Sequence, residues 1–193
     1  MMPPRHPIGV IHGRFQVPHN DHLRYLLAGR ERCGHLVVGI TNPDPGHTRP
    51  ESADPRRSDP AANPLTYYER QAMLRAALAE AGTALADFTI VPFPVSFPEL
   101  YQYYVPLDAA FFLTIYDAWG RRKREYFASL GLTVEVLWEV PPDQKGLSGT
   151  DVRRAMAKDR DWETLVPPAV AALARTWNLP ARLNRLARSA ATR

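Results

Sequence analysis

Apolar positions along the chain fall into two alternating rhythms. Short dense runs rich in Val, Ile and Phe ("IGVIHGRF", "HLVVGIT", "FTIVPFP", "AAFFLTIY" and "TVEVLWEV") predict five buried strands. Between them lie segments with helical spacing. "DHLRYLLAGRERC" sets Leu23, Leu26 and Leu27 on one face. "TYYERQAMLRAALAEAG" opens with Thr66 and Glu69 at capping-box spacing and stops at Gly82. "GRRKREYFASLG" is a third helix and "PELYQYYV" a short one. Strands alternating with helices predict a parallel sheet covered on both faces, an α/β doubly wound, Rossmann-like fold.

Past the fifth strand the pattern is helical only. "SGTDVRRAMAKD" places Ser148 three residues before Asp151, a capping signal. "PPAVAALARTW" starts on prolines suited to a first turn and aligns Val170, Leu173 and Trp177, and "PARLNRLARSAA" continues as a last helix. Residues 1–147 are therefore expected to form the α/β core, and residues 148–193 a helical part of the same domain. Residues 43–64 break the rhythm, with six prolines in 22 positions and no apolar periodicity. A connection of that length is either functional or unstructured. Following a strand's carboxyl end, where open α/β sheets bind ligands, it reads as a flap over a site or as surface filler.

Composition narrows the class. At 193 residues, 45% hydrophobic and 23% charged, the chain suits one globular domain. No run approaches the roughly 20 apolar residues of a membrane span, and the N-terminus lacks the apolar stretch of a secretory signal. A lone cysteine, Cys33, excludes an internal disulfide and a cysteine-rich zinc site. A cytoplasmic protein without a membrane partner is the expectation. The net charge is +4, yet five arginines after Pro167, with no acidic residue among them, exceed it. Without aromatic residues interleaved in a basic patch, that tail reads as a solvated or oligomer-facing helix end, leaving a homo-oligomer open and no nucleic-acid partner expected.

Two nucleotide signatures, G-x-G-x-x-G and G-x-x-x-x-G-K-[ST], are missing, so phosphates must be gripped otherwise. The turn after the first strand, "GRFQVPHNDH", offers Gly13 for close backbone approach, Arg14 as a charged fork, and His19 and His22 three apart at a helix start. Imidazoles there can donate to charge developing on phosphate oxygens. Spacing alone leaves capping and packing open as their role, and too few ligands lie near for a metal site. A second constellation, "KGLSGTDVRR", sets Lys145, Ser148, Gly149, Thr150, Arg153 and Arg154 around a helix start. By itself it is a capped helix with solvated arginines. The two constellations follow the first and last predicted strands; brought together, they suit a nucleoside triphosphate.

These residues carry a resemblance. "GRFQVPHNDH" resembles the G-R-F-Q-P-x-H-x-G-H signature of the nucleotidyltransferase superfamily, and "LSGTDVR" its second motif, I-S-G-T-x-[IV]-R. The chain resembles archaeal-type nicotinamide-nucleotide adenylyltransferases in particular: "NPLTYYER", "DWETLVPPAV" and "ARLNRLA" resemble further stretches of that family in the same order. The resemblance implies transfer of a nucleoside monophosphate from a triphosphate to a small phosphorylated acceptor, with Mg²⁺ present and pyrophosphate released. It implies that His19, His22 and Arg14 are catalytic. It also implies that Gly13, Phe15, Asp21, Lys145, Ser148, Gly149, Thr150 and Arg153 bind the nucleotide. Thr41, Asn42, Tyr101, Tyr116, Asp117 and Trp119 are the acceptor side.

Three departures bear on substrate. The signature's glycine before the last histidine is Asp21, which suits a ribose hydroxyl, a base amino group or a metal, or simply points to solvent. The relatives' Asn-x-x-Trp stretch, which meets the nicotinamide, reads "PELY", where Tyr101 is expected to stack on a ring. Their Ser-Gly-Asn-Pro-like turn reads "IYDAWGRRK", where Arg121, Arg122 and Lys123 are an extra anion site or a solvated face. Adenylyl transfer from ATP to nicotinamide mononucleotide is the default expectation. The alternatives are cytidylyl transfer to a phosphonate or other phospho-acceptor, and a nucleotide-binding module without catalysis.

Overall fold

The computed structural model describes residues 6–48 and 62–191, with side chains to residue 188. The greater part of the proline-rich segment, residues 49–61, lies outside the described residues. Five strands form one sheet: β1 (His6–Gly13), β2 (Cys33–Ile40), β3 (Phe88–Pro92), β4 (Ala110–Ile115) and β5 (Thr133–Glu139). Their order is β3-β2-β1-β4-β5 and every pairing is parallel. Among the described residues six α-helices accompany them: α1 (Asn20–Arg30), α2 (Tyr67–Glu80), α3 (Ala118–Ser129), α4 (Gly149–Ala157), α5 (Pro168–Thr176) and α6 (Leu179–Ala191). None among the described residues is long and apolar enough to cross a membrane.

Side-chain alternation along the strands divides the core. Ile11, Val38 and Phe112 face one side, where Leu26 of α1 and Leu74 and Leu78 of α2 cover them. Val10, Val37 and Phe111 face the other, against Phe127 of α3 and Tyr101. Strands buried on both faces explain the nearly unbroken apolar runs in the sequence. A third cluster joins α4, α5 and α6 to Val17, Leu65 and Met73, so the carboxyl-terminal helices pack against the turn after β1 and against α2.

The capping signals are met. Thr66 Oγ1 accepts the Glu69 N–H at 3.2 Å, and Glu69 Oε2 accepts the Thr66 N–H at 2.9 Å. Glu69 also receives both terminal nitrogens of Arg182 from α6, at 2.6 and 3.0 Å, tying the two helices together. One element differs from the sequence expectation: β1 ends at Gly13 because Phe15 adopts a left-handed φ of 52° that no strand accommodates. The short helix expected at "PELYQYYV" is present as a 3-10 helix, Pro98–Tyr103.

Candidate active site

The chain runs outward from β1 through β2 to β3, then returns to place β4 on the other side of β1. Ligands of open α/β sheets bind at such a reversal, beyond the carboxyl ends of the strands. A cavity of about 830 Å³ lies there, lined by residues 12–16 at the end of β1 and beyond it, Thr114 and Tyr116 at the end of β4, and residues 147–150 at the start of α4.

The first turn is built around two imidazoles. His19 is the residue before α1, and His22 one turn on lies face to face with it, ring centroids 3.6 Å apart and planes 26° from parallel. His22 Nδ1 accepts the His19 backbone N–H at 3.3 Å, and Phe15 props the His22 ring edge-on at 5.0 Å. Both rings line the cavity, although His19 is only 3% exposed. Burial lowers the His19 pKa to about 4, against a weaker upward pull from Asp21 and Asp151. Burial likewise drives His22 well down, helped by His19 and by Arg14, against a hydrogen bond that the ring donates to the Val17 carbonyl. Both rings are neutral near pH 7, and each retains one N–H donor.

The second turn interlocks with the first. Asp21 Oδ2 accepts the Leu147 N–H at 2.6 Å. The neighbouring Gly146 has φ 75°, and a Cβ on it would stand 2.3 Å from that oxygen, so only glycine fits. Gly149 approaches the Gln16 carbonyl so closely that a Cβ would lie 2.6 Å from it. Arg153 Nη1 donates to the same carbonyl, and its Nη2 to Thr150 Oγ1 at 3.2 Å. Ser148 caps α4, its Oγ exchanging hydrogen bonds with Asp151 at 2.5 and 3.2 Å. The N-termini of α1 and α4 thus open onto one space, where unpaired N–H groups and the helix dipoles favour an anion. Lys145 lines it too, its Nζ 5.7 Å from the Tyr116 ring centroid.

Placement of the remaining expected residues is mixed. Gly13, Thr41, Asn42, Tyr116 and Trp119 line the cavity. Asp21 lines it as well, but its carboxylate is engaged as a strut between the turns, not aimed at solvent. Asp117 caps α3, accepting the Gly120 N–H at 2.9 Å, and Tyr116 Oη accepts from Trp138 Nε1 at 3.1 Å. Tyr101 corrects its expectation. It is 2% exposed, donates to the Val95 carbonyl at 2.6 Å, packs on Phe93 and is absent from the cavity wall, because the 3-10 helix turns its ring into the core.

Three residues stand out that the sequence did not mark. Arg70 of α2 is 1% exposed and spends its guanidinium on carbonyls, donating to those of Arg14, Thr41 and Asn42 at 2.8 to 2.9 Å. It fixes the carboxyl ends of β1 and β2 at the cavity rim. Gln16 pairs through both amide atoms with the Leu65 backbone at 2.9 and 3.0 Å, anchoring the first turn from behind. His12, on β1, lines the cavity with neither ring nitrogen partnered among the described residues. Leaving such a group unsatisfied costs about 1–3 kcal/mol.

Among the described residues no group of three or more His, Cys, Asp or Glu could hold a metal ion. The cavity's cations are Arg14, Arg122, Lys123, Lys145 and Arg153; its carboxylates are Asp21 and Asp117, both engaged by backbone N–H groups. Such a lining suits two anionic ligands.

Comparison with known proteins agrees with this geometry. Residues 10–155 match the cytidylyltransferase-like family. A phosphonoformate cytidylyltransferase of Streptomyces viridochromogenes is 52% identical over 91% of this chain and 94% of its own length. A nicotinamide-nucleotide adenylyltransferase of Thermococcus sibiricus is 31% identical over 84% of this chain and 80% of its own. A bifunctional NMN adenylyltransferase/ADP ribose pyrophosphatase from Francisella tularensis superposes with a TM-score of 0.66 at 15% identity, over 94% of this chain. The chain spans 52% of that structure's length, and the likeness is one of fold.

Proposed function

The chain belongs to the cytidylyltransferase-like family of nucleotidyltransferases, and from that premise we propose that it transfers the cytidylyl group of CTP to a small phosphonate acceptor. One observation carries the choice of substrates: the 52% identity, over nearly the full length of both chains, to a phosphonoformate cytidylyltransferase. Adenylyl transfer to nicotinamide mononucleotide, the expectation from motifs alone, is the second reading. It draws on relatives near 30% identity, and it loses support where "PELY" folds into the core and Tyr101 offers no ring to a nicotinamide.

The proposed step is direct. An acceptor phosphonate oxygen attacks the α-phosphorus of CTP, a new P–O bond forms, and the bond to the departing pyrophosphate breaks in line with it. No protein nucleophile is needed, so catalysis reduces to positioning and charge neutralisation. His19 donates a neutral N–H to the triphosphate, with His22 stacked on it at the same turn; Arg14 bridges acceptor and triphosphate oxygens; Lys145 and the N-terminus of α4 meet the phosphates from the other turn. Mg²⁺, when bound, would supply charge neutralisation for the departing pyrophosphate, and no cluster of acidic residues among the described ones would hold it apart from the nucleotide. The test is pyrophosphate release from ATP and CTP, each against simple phosphonates, phosphonoformate, nicotinamide mononucleotide and nicotinate mononucleotide. Release only with CTP and a phosphonate is expected. Release only with ATP and a mononucleotide would reverse the assignment, and nucleotide binding with no turnover would favour a module without catalysis.

A further inference from the structure

Resting on the cytidylyl-transfer reading, we propose that the base of the nucleotide stacks on Tyr116, and that Trp138 is the positioning residue that holds the Tyr116 ring in place. Trp138 reaches Tyr116 through an irregularity in β5. Leu113 pairs with Val136, but the next residue, Thr114, pairs with Trp138, so Leu137 is one residue too many for the register. Successive residues of an unbroken strand face opposite sides of the sheet. Here both face α1. Leu137 packs in the cluster that holds Leu23 and Leu27. Trp138 stands edge-on to Tyr25 at 6.1 Å and under the Arg24 guanidinium at 5.3 Å. Bulges beside functional sites re-aim side chains in this way. What this one delivers is a donor: Trp138 Nε1 donates to Tyr116 Oη at 3.1 Å. The tyrosine is thereby fixed at its far end by an indole, and at its near end by its place directly after β4.

A ring so held presents a fixed face. Tyr116 lines the cavity, and Lys145, from the second phosphate-gripping turn, stands with Nζ 5.7 Å from its ring centroid. One π-face is therefore reachable from the side on which the triphosphate is gripped. That face is electron-rich and disfavours an anion laid upon it, which excludes a small phosphonate as its ligand. A nucleobase is flat and neutral, and every base has a π-face that stacks on an aromatic ring. In the transfer step Lys145 meets the phosphates, which draws the ammonium off the ring and leaves that face to the base. Tyr116 thus belongs with the nucleotide and not with the acceptor, where the sequence resemblance sets it.

The test measures equilibrium binding of CTP, of ATP, and of tripolyphosphate, which lacks ribose and base. The proteins are the wild type, Tyr116→Leu, Tyr116→Phe, Trp138→Phe and the double phenylalanine variant. Tyr116→Leu should weaken CTP by about 10-fold or more, the usual worth of one base–aromatic stack, with tripolyphosphate unchanged. Trp138→Phe removes the N–H donor and Tyr116→Phe its acceptor, so each should weaken CTP by about 3-fold, and the pair together no more than either alone. Equal losses on CTP and tripolyphosphate, or full CTP affinity in Tyr116→Leu, would overturn the platform. Additive losses in the double variant would overturn the role of Trp138. A raised acceptor KM with CTP affinity unchanged would return Tyr116 to the acceptor. Should Tyr116→Leu fail to fold, the phenylalanine variants decide: losses confined to CTP and non-additive uphold the proposal, and no loss rejects it. Tyr116-dependent binding of ATP, in a protein that does not bind CTP, would keep the platform and reject cytidylyl transfer. Turnover of CTP with an affinity indifferent to Tyr116 would do the reverse.

Discussion

Asp21 and Leu147 meet across 126 positions of chain: the carboxylate of one takes the backbone N–H of the other at 2.6 Å. This contact joins the turn after β1 to the turn before α4, and with them the two halves of the anion cradle. It gives a role to a residue that departs from the superfamily signature, where glycine is usual.

Asp21→Ala should leave the Leu147 N–H unpaired and loosen the second turn. A hydrogen bond to a charged group contributes about 1.5–3 kcal/mol, so a fall of that order is expected in urea unfolding, with a raised KM for the nucleotide. Unchanged stability and unchanged KM would show that the turns hold together without the strut.

Arg70→Met should be more damaging. It strips donors from the carbonyls of Arg14, Thr41 and Asn42 at once, and each buried carbonyl left unpaired costs about 1–3 kcal/mol. Arg70→Lys should recover little, because an ammonium cannot span three carbonyls as the guanidinium fork does. Denaturant titration of the two variants checks this; a lysine variant as stable as wild type would reject the fork argument.

His19→Ala should lower kcat by about 100- to 1,000-fold, the usual loss on removing one donor to developing charge, while nucleotide affinity falls far less. Single-turnover rates beside equilibrium binding separate the two. Parallel losses would make His19 a ground-state ligand only.

Stability should fall on acidification. The folded-state pKa of His19, about 4, is depressed below its usual 6.5, so the unfolded chain takes up the proton first. The contribution is fully present above pH 6.5 and lost as pH falls toward 4. It amounts to about 2 kcal/mol between pH 6.5 and 5. His12 and His22 are depressed in the same direction and steepen the slope. His19→Asn should flatten it, read from unfolding at several pH values; an identical slope in the variant would refute the assignment. Bound nucleotide should flatten it as well, since a polyanion favours the protonated ring.

Much of the architecture was legible because its causes are local. Alternating apolar runs set the five strands, and the capping pairs at Thr66 and Ser148 set helix starts that hydrogen bonds bear out. What stayed hidden depends on distant partners. Asp21 looked like a nucleotide contact because Leu147 is remote in sequence. Arg70 sits in "YYER", which reads as an ordinary solvated helix position; only the meeting of two strand ends with α2 buries it. Tyr101 is the reverse case, a ring whose direction "PELY" does not encode. His12 lies within an apolar strand, where one polar residue gives no sign of facing a cavity at the strand's end.

The nearness of Gly149 to the Gln16 carbonyl, with Arg153 closing on the same oxygen, bears on how such proteins can be recombined. A chimaera that takes its first loop from one homologue and its second from another would match surfaces shaped for different mates. A larger residue at 149, or a shorter one at 153, would push the halves apart even if each segment were sound alone. Exchanges between relatives should therefore succeed only when both segments travel together.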